Sequence, residues 1–282
     1  MKLLVTNDDG VDSPGLWALA EALRQDGHEV VVVAPAEERS GSGAAIGYIV
    51  HGQGTSASPV EREGWEKDAW ALDGAPALCV LLALRHVAFG EGFQAVVSGI
   101  NPGWNTGRGV LHSGTVGAIL TGANAGLPGV AVSIDAATAQ VGEVGLHRGV
   151  RERWGTAAAL AAGAVGWLST LPPPAEGEVA TMLNLNVPNL PLGELSGVRT
   201  ATLGRPTSSA LRPAQPEPGP DGSVRVELGP PAIDLAPGSD NALLLEGFAT
   251  VTILSGIGEV RGPGGELVEA LASVVDGEVT SR

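Results

Sequence analysis

The sequence predicts an α/β fold with a Rossmann-like, mostly parallel sheet, helices on both faces, an extended β-hairpin arm and a C-terminal tail. Through the first half of the chain, short continuous apolar runs alternate with segments of helical periodicity, the pattern of strands buried between two layers of helices. Three of these runs, ending near residues 8, 36 and 99, are each followed by a loop rich in small polar residues. Because the carboxyl ends of parallel strands share one edge of the sheet, we expect these loops to converge there.

The first strand, the first helix and the second strand are defined by their ends as well as by their apolar residues. A strand over residues 2–6 leads to a helix that Ser13 caps and Pro14 opens, since proline is favoured at the first helical position. A continuous apolar strand over 30–33 follows and stops at Pro35. The apolar face of the helix, at the spacing of helical turns, consists of Leu16, Leu19, Ala20 and Leu23.

The alternation continues to about residue 134. Strands separated by helices in this way pair in parallel. In order, the elements expected are a Gly/Ser loop at 37–43, a strand near 46–50, a variable polar stretch to 68, a helix from Pro76 to about 87, a strand at 95–98, a helix opened by Ser113-Gly114-Thr115 and a strand at 130–134.

The second half of the chain is less regular. Residues 205–231 are dense in proline and have no helical period, which favours an extended arm or β-hairpin over a linker. We therefore expect a single domain over 1–282, with a core over about 1–200, the arm at 205–231 and a C-terminal segment at 232–282. The other elements expected are an alanine-rich helix at 156–168, strands at 181–187, 197–203 and 249–254, and a short helix within 264–273.

Composition argues against several classes of protein. The chain of 282 residues has 16 basic and 31 acidic residues and a net charge of −15, so we expect neither a nucleic-acid polymer nor an anionic membrane as a partner. Its longest apolar stretches, such as 157–168, are too short and too alanine-rich to cross a bilayer. The first residues run directly into a strand pattern without a signal peptide, and the single cysteine, Cys79, forms no intrachain disulfide. We therefore expect a cytoplasmic protein.

The residues that end the first strand are the most informative about chemistry. The buried run ends at Asn7, Asp8, Asp9 and Gly10. Two carboxylates held about 4 Å apart repel by roughly 1 to 4 kcal/mol, so we expect a cation between them. Paired carboxylate oxygens suit a hard divalent ion such as Mg²⁺ or Mn²⁺. Asparagine, aspartate and glycine also form turns, so a plain turn is the alternative.

Oxygen donors and helix-end amides stand at the other predicted strand ends. Ser40 offers a hydroxyl after the second strand, and Asn101 offers an amide carbonyl after a later strand. Ser113, Gly114 and Thr115 open a helix, where free N–H groups and the helix dipole favour an anion. Each has an ordinary alternative: a solvated loop serine, a turn asparagine and a helix-capping serine. Their joint placement indicates a phosphate site beside a metal ion.

Motifs of several other enzyme classes do not occur in the sequence. No cysteine and histidine residues stand at zinc-binding spacing, and neither the G-x-S-x-G nucleophile elbow nor the P-loop is present. A lone Gly41-x-Gly43 is only a fragment of a dinucleotide-binding fingerprint. Gly-His-Glu-Val-Val-Val-Val at 27–33 leaves open a Rossmann-like nucleotide or sugar-nucleotide binding module without hydrolytic activity. The adjacent aspartates leave open an aspartyl nucleophile, although that chemistry usually alternates its aspartates.

Four motifs stand at the predicted strand ends within about the first 135 residues. They are Leu-Val-Thr-Asn-Asp-Asp-Gly-Val at 4–11, Val-Ala-Pro at 33–35 with Arg-Ser-Gly at 39–41, Val-Ser-Gly-Ile-Asn at 97–101 and Ser-Gly-Thr-Val-Gly-Ala at 113–118. Together they resemble the SurE (survival protein E) nucleotidases, in the order of that family. The resemblance is thinner in the second half, at 185–188, at Ser239-Asp240 and at 247–252.

The resemblance implies a metal-dependent phosphatase that acts on nucleoside 5′- and 3′-monophosphates and, in some members, on short polyphosphate. It implies one divalent ion, Mg²⁺ or Mn²⁺, per subunit. It also implies a homodimer or homotetramer formed through exchanged C-terminal arms, for which 205–231 is the counterpart. The implied metal ligands are Asp8, Asp9, Ser40 and Asn101, of which the two aspartates are also catalytic. The implied substrate and phosphate contacts are Asn7, Asn101, Asn105, Ser113, Gly114 and Thr115.

The chain departs from the resemblance at one motif. Where relatives typically read Gly-Thr-Pro-x-Asp-Cys, residues 74–79 read Gly-Ala-Pro-Ala-Leu-Cys, so a hydroxyl and a carboxylate are missing at Ala75 and Leu78 near the expected substrate side. Substrate preference therefore stays open, while the metal-binding motifs are intact. The sequence also leaves open whether Asp8 or Asp9 accepts the proton of the attacking water.

Overall fold

A computed structural model describes residues 1–47, 54–135, 153–175, 177–205, 217–218, 224–225 and 235–257. The α-helices in this part of the chain are α1 (Pro14–Gln25), α2 (Pro76–Ala83), α3 (Gly114–Asn124), α4 (Trp154–Leu168) and α5 (Asp240–Leu245). The strands are β1 (Lys2–Thr6), β2 (Glu29–Pro35), β3 (Ala57–Pro59), β4 (Ala69–Leu72), β5 (Ala95–Pro102), β6 (Gly129–Ile134), β7 (Met182–Val187), β8 (Gly197–Thr200), β9 (Glu217–Pro218), β10 (Val224–Arg225) and β11 (Phe248–Leu254). Short 3₁₀ turns lie at Val87–Phe89, Gly107–His112 and Leu192–Glu194.

Nine of the strands form one sheet in the order β3-β4-β2-β1-β5-β6-β7-β11-β8. Its neighbouring pairs run parallel except β3 with β4 and β7 with β11, so the mostly parallel sheet predicted from the sequence is confirmed. From β1 the chain builds outward through β2 and β4, then returns to β5 and builds outward through β6 and β7 on the other side. The strand order therefore reverses between β1 and β5, where the ligand crevice of such sheets lies.

Helices cover both faces of the sheet, as predicted, because the central strands are apolar on both sides. Along β1, Leu3 and Val5 join the core that contains α1 and α4, and Leu4 between them joins the core that contains α2 and α3. Successive strand residues point to opposite faces, so one continuous apolar run fills both cores. Cys79 lies in the second core, where burial raises the pKa of its thiol to about 12. None of the helices in the described part of the chain is long and apolar enough to cross a membrane.

Several of the predicted elements have different ends in the structure, among them α2 and β5. α2 ends at Ala83 rather than near residue 87, because the chain turns there and packs Phe89 edge-on against Trp70, with the ring centroids 5.5 Å apart. β5 continues to Pro102 rather than ending at residue 98, because Asn101 and Pro102 pair with β6 after a shift of register. Asn101 is therefore held by the sheet and is not part of a free turn.

The polar stretch before α2 contains two strands that the sequence pattern does not predict. β4 pairs with β2 over only four residues, and β3 pairs with β4 at the sheet edge, so neither is long enough to show a clear periodicity. Ile46 and Gly47 do not form the strand expected near 46–50, and the rest of that segment lies outside the described residues. α5 is a short helix that is likewise not predicted, and the helix expected within 264–273 lies outside the described residues.

Two short segments of the arm at 205–231 are described. β9 and β10 pair as a two-stranded antiparallel ladder, which is the β-hairpin that the proline-rich composition predicts. β8 ends at Thr200 rather than at residue 203 as predicted, a few residues before the arm. The division of the chain into one domain with a core, an arm and a C-terminal segment stays a prediction.

Candidate active site

The reversal of strand order brings the predicted site residues to one edge of the sheet. β1 ends at Thr6, which pairs with Ser98 of β5. Asp8 and Asp9 therefore leave the sheet beside the strand that carries Asn101. These residues lie at the carboxyl ends of parallel strands, as the sequence predicts.

Asp8 lies where three loops of this edge meet. Its carboxylate accepts a hydrogen bond from Thr115 Oγ1 at 2.7 Å, and its carbonyl oxygen accepts one from the backbone N–H of Arg39 at 2.7 Å. A Cβ atom on Gly114 would stand 2.8 Å from Asp8 Cβ and 2.7 Å from Ser42 Oγ, so glycine is required for this close approach. The end of β1, the loop after β2 and the first turn of α3 thus surround one buried carboxylate.

The two carboxylates are held where negative charge is costly. Burial raises the pKa of Asp8 above its ordinary value, although the hydrogen bond from Thr115 opposes this shift. Burial also raises the pKa of Asp9 to about 8, with further contributions from the negative charges of Asp8 and Glu38. In the described part of the chain, Asp9 Oδ2 is buried and has no hydrogen-bond partner. A cation here would relieve the repulsion and satisfy that oxygen.

The oxygen donors at this edge fit a hard divalent ion. Asp8 and Asp9 supply two charged groups. Asn101 supplies an amide oxygen, because its Nδ2 donates to the carbonyl oxygen of Gly103 at 2.6 Å. Ser40 is exposed, and its hydroxyl donates to Glu38 Oε1 at 2.9 Å, so it would have to leave Glu38 to bind the ion. Among the residues described, no three or more acidic, histidine or cysteine side chains are arranged so that they alone could hold a metal ion. A pair of carboxylates completed by neutral oxygens and water suits Mg²⁺.

We expect the metal-free protein to lose stability as the pH rises from about 4 to about 8. The pKa of Asp9 is about 8 in the folded chain against an ordinary value of 3.8, so the unfolded chain ionises first and is increasingly favoured across this window. Thermal unfolding of EDTA-treated protein at about pH 5 and about pH 7.5 measures the effect. The fall in Tm should be smaller in Asp9→Asn, and excess Mg²⁺ should raise Tm most at the higher pH. If the Tm of the metal-free native protein and that of metal-free Asp9→Asn depend on pH in the same way, this account is contradicted.

Asn105 is fixed by buried side chains of β6 and β7 to which the sequence reasoning assigned no role. Its Nδ2 donates to Ser133 Oγ at 2.9 Å and lies 3.4 Å from Thr115 Oγ1. Its backbone N–H donates to Asn186 Oδ1 at 2.8 Å, and its carbonyl oxygen accepts from Asn184 Nδ2 at 2.8 Å. The sequence does carry a signal for these contacts, because two asparagines alternate with apolar residues in β7. Buried amides require hydrogen-bond partners, so such a pattern indicates a polar contact at that strand.

Two predicted contact residues have structural roles in this arrangement. Ser113 caps α3, since its Oγ accepts a hydrogen bond from Val116 N at 3.1 Å, and its contact with phosphate stays a prediction. Asn7 is fully buried, and its Nδ2 donates to Gly10 O at 2.9 Å, which closes the turn after β1. The backbone amides at the start of α3 favour the ionised form of Asp8. The helix end and the carboxylate pair therefore belong to one site.

Asp240 connects this site to the start of the arm. It is fully buried at the beginning of α5, where its Oδ2 accepts from Gly107 N at 2.6 Å and its Oδ1 accepts from Gly204 N at 3.0 Å. Gly107 begins the 3₁₀ turn that leads to Ser113, and Gly204 directly precedes the arm. The sequence shows this residue only within the weaker part of the family resemblance, because its partners are far away along the chain.

We expect Asp240→Ala to lower the free energy of unfolding by about 2–6 kcal/mol, because two buried backbone N–H groups each lose an acceptor at about 1–3 kcal/mol. Urea denaturation measures the loss. Asp240→Asn retains one oxygen acceptor and should lose about half as much. The control is Asp12→Ala, which removes an exposed carboxylate of the same type. A stability of Asp240→Ala equal to that of this control would contradict the role of the carboxylate.

The fold and the site together define a class of protein. A buried carboxylate pair and a helix N-terminus lie together at the strand-order reversal of a mostly parallel sheet. This is the arrangement of α/β proteins that bind their ligands at the carboxyl edge. The family model described as Survival protein SurE matches residues 3–210. The chain belongs to the SurE family.

Curated relatives and a solved structure agree with this assignment. The chain is 36% identical over 256 residues to a protein of Xylella fastidiosa (strain 9a5c) named 5′-nucleotidase SurE, covering 89% of this chain and 88% of the relative. It is 37% identical over 254 residues to the protein of that name from Xanthomonas oryzae pv. oryzae (strain PXO99A), with the same coverage. Its fold matches the crystal structure of the SurE protein from Aquifex aeolicus with a TM-score of 0.72 and 26% identity, over 98% of this chain and 100% of that chain. The resemblance and the fold class inferred from the sequence are confirmed.

Proposed function

We propose that this chain is a metal-dependent phosphomonoesterase that releases phosphate from nucleoside 5′- and 3′-monophosphates. The observation that carries the proposal is the contact between Asp8 and Thr115 at 2.7 Å, because the carboxylate pair then lies against the first turn of α3. Helix N-termini bind phosphate, and carboxylates bind the divalent ion that accompanies it. Membership of the SurE family supports a nucleotide substrate, as does the name 5′-nucleotidase of the Xylella and Xanthomonas relatives.

One divalent ion per subunit, Mg²⁺ or Mn²⁺, would be held by Asp8, Asp9, Ser40 and Asn101. When bound, such an ion supplies Lewis-acid stabilisation of phosphoryl oxygens and lowers the pKa of water. The raised pKa of Asp9 supports this ligand set, as does its Oδ2, which has no partner among the described residues.

The residues around the ion would orient the phosphate and receive a proton. The first turn of α3, at Gly114 and Thr115, would face the phosphoryl oxygens, where its amides and dipole offset negative charge. Asn105 would border the same side, since its Nδ2 lies 3.4 Å from Thr115 Oγ1. Asp9 is the better acceptor for the proton of the attacking water, because the carboxylate of Asp8 already accepts from Thr115. Water adds across the P–O ester bond and gives the nucleoside and inorganic phosphate.

The proposal extends to assembly and location. The antiparallel pairing of β9 with β10 supports an extended arm, through which the chain would form a homodimer or homotetramer. The net charge of −15 argues against a nucleic-acid polymer as substrate, and short-chain polyphosphate is a second candidate substrate. A cytoplasmic location is compatible with the free, buried Cys79.

Phosphate release from a panel of substrates tests the proposal. The panel contains the 5′- and 3′-monophosphates of the four common ribonucleosides and tripolyphosphate, each with Mg²⁺, with Mn²⁺ and with EDTA. We expect release from the nucleotides with a divalent ion, a loss of about 10²-fold or more in EDTA, and recovery when the ion is restored.

Two outcomes of this panel would favour the alternatives. Nucleotide binding that survives EDTA, with no phosphate release under any condition, would indicate a Rossmann-like nucleotide or sugar-nucleotide binding module. A phosphoaspartate that accumulates during turnover would indicate an aspartyl nucleophile in place of direct attack by water.

A further inference from the structure

Asn105 is bound by two neighbouring residues of the sheet, Ser133 of β6 and Asn186 of β7. These two residues are paired across the strands, and both are fully buried. Ser133 Oγ accepts a hydrogen bond from the side chain of Asn105 at 2.9 Å. The carboxamide of Asn186 binds the main chain of Asn105, because it accepts from the N–H at 2.8 Å and donates to the carbonyl oxygen at 3.0 Å. One cross-strand pair therefore holds both the side chain and the main chain of Asn105.

The carboxamide of Asn186 gives Asn105 the hydrogen bonds that a neighbouring strand would give it. Asn105 lies between β5 and the 3₁₀ turn at Gly107–His112, and within the described residues its N–H and carbonyl oxygen have no backbone partner. Asn184, two residues before Asn186 on the same face of β7, donates to the same carbonyl oxygen at 2.8 Å. A carboxamide offers a donor and an acceptor at once, so the residue type at position 186 fits this double contact.

The side chain of Asn105 connects this pair to the carboxylate of Asp8. Its Nδ2 lies 3.4 Å from Thr115 Oγ1, and that hydroxyl donates to Asp8 Oδ1 at 2.7 Å. A threonine hydroxyl has one proton, so an oxygen that donates to Asp8 can only accept from Asn105. The amide of Asn105 therefore favours the orientation of the hydroxyl that holds Asp8 at the first turn of α3.

We propose that Asn186 is a positioning residue for the active site. It fixes the main chain of Asn105, so that the side chain of Asn105 reaches Thr115 and Thr115 holds Asp8. The proposal rests on the proposed function and adds to the site a residue of β7, which lies two strands beyond β5 in the sheet. Residues that orient the ligands of a metal ion from outside typically change metal affinity or activity by about 10–100-fold when they are replaced.

Asn186→Leu tests the proposal, because leucine keeps a similar volume and removes both contacts to Asn105. With a nucleoside monophosphate and saturating Mg²⁺, we expect kcat to fall by about 10–30-fold. The KM should change by less than about threefold, because the loss concerns the geometry of the reacting groups and not the binding of the whole substrate. Asn186→Ser is too short for the double contact and keeps a polar group, so it should show the same loss. It carries the test if the leucine variant fails to fold.

Thr250 of β11 provides the matched control. It is paired with Asn186 across the strands and is fully buried. In the part of the chain that the structure describes, its Oγ1 has no hydrogen-bond partner. Thr250→Val therefore removes a buried polar group next to Asn186 without breaking a contact to Asn105, and its kcat and KM should match those of the native protein.

A double-mutant cycle with Asn105→Ala separates positioning from a general structural effect. If Asn186 acts through the side chain of Asn105, Asn186→Leu should lower kcat by less than about twofold in a protein that already carries Asn105→Ala. A structural defect of β7 would lower kcat by the same factor in both backgrounds, and that result would overturn the proposal.

Two measurements on the metal-free full-length protein need no turnover. Hydrogen exchange at the amide of Asn105 should be about tenfold or more faster in Asn186→Leu than in Thr250→Val, because this N–H loses its acceptor. Calorimetric titration with Mn²⁺ should give a Kd that is about threefold or more higher in Asn186→Leu than in the native protein, because Asp8 is held less firmly. Thr250→Val should bind Mn²⁺ as the native protein does.

These outcomes separate the role of Asn186 from the proposed function. If the native protein releases no phosphate from any substrate, the proposed function fails, and amide exchange with Mn²⁺ binding decides the role of Asn186. That role is then rejected if Asn186→Leu equals Thr250→Val in both measurements. Native kcat in both Asn186→Leu and Asn186→Ser would leave the proposed function standing and overturn the positioning role alone.

Discussion

Asp9→Asn is expected to lower phosphate release by about 10³-fold or more while the protein stays folded. The substitution removes a charged ligand from the proposed ion site, and a bound ion contributes several kcal/mol of transition-state stabilisation. It also removes a carboxylate whose pKa is raised by burial and by the negative charges of Asp8 and Glu38, so the metal-free variant should unfold at a higher temperature near pH 7. Asp8→Asn should lose as much activity, although its amide oxygen can still accept from Thr115.

Asp12→Asn is the matched control for these variants. It makes the same chemical change a few residues further along, at an exposed side chain. Its activity and Tm should stay near those of the native protein. The metal-site assignment fails if Asp8→Asn and Asp9→Asn both retain the turnover of this control under saturating Mg²⁺ and Mn²⁺.

Gly114→Ala is expected to lower kcat/KM by about 10²-fold, because the geometry of the carboxylate and the helix start depends on their close approach. The added Cβ would stand 2.8 Å from Asp8 Cβ and 2.9 Å from Asp8 Oδ2, so Asp8 has to move. A displacement of about 1 Å in a catalytic group costs on the order of 10²-fold in rate. Steady-state kinetics measure this loss, and titration with Mn²⁺ should show weaker binding of the ion.

Gly163→Ala separates this steric effect from the general effect of an alanine in a helix. Gly163 is exposed in α4, and no atom lies within 4 Å of the position its Cβ would take. The control should keep full activity and gain up to about 1 kcal/mol of stability, because alanine is the better helix former. Equal activity in the two alanine variants would show that the contact between Gly114 and Asp8 does not matter for catalysis.

The sequence predicted those parts of the fold and site that depend on short segments. β1 and the two aspartates that follow it were recognised because a continuous apolar run ends abruptly in charged residues. α1 was recognised from Pro14 and its apolar spacing, and the start of α3 from Ser113. In each case the signal lies within a few residues, so local pattern and the parallel-sheet rule suffice.

The parts that escaped prediction depend on contacts between distant segments. Asn105 itself is implied by the family resemblance, but its partners in β7 lie 79 and 81 positions away along the chain, and Asp240 reaches Gly107 across 133 positions. β4 is a strand because β2 offers a free edge, and its sequence of four residues has no period of its own.

Asp240 accepts hydrogen bonds from both Gly107 and Gly204, and this pair of bonds affects how the protein should be attached to a solid support. A linker attached within 205–231 would apply force to Gly204. The carboxylate of Asp240 would transmit that force to Gly107 and so to the turn before α3. A linker on the outward side of α4 loads a different part of the scaffold and spares this connection. Attachment through α4 is therefore expected to preserve the geometry of the turn before α3 on a solid support.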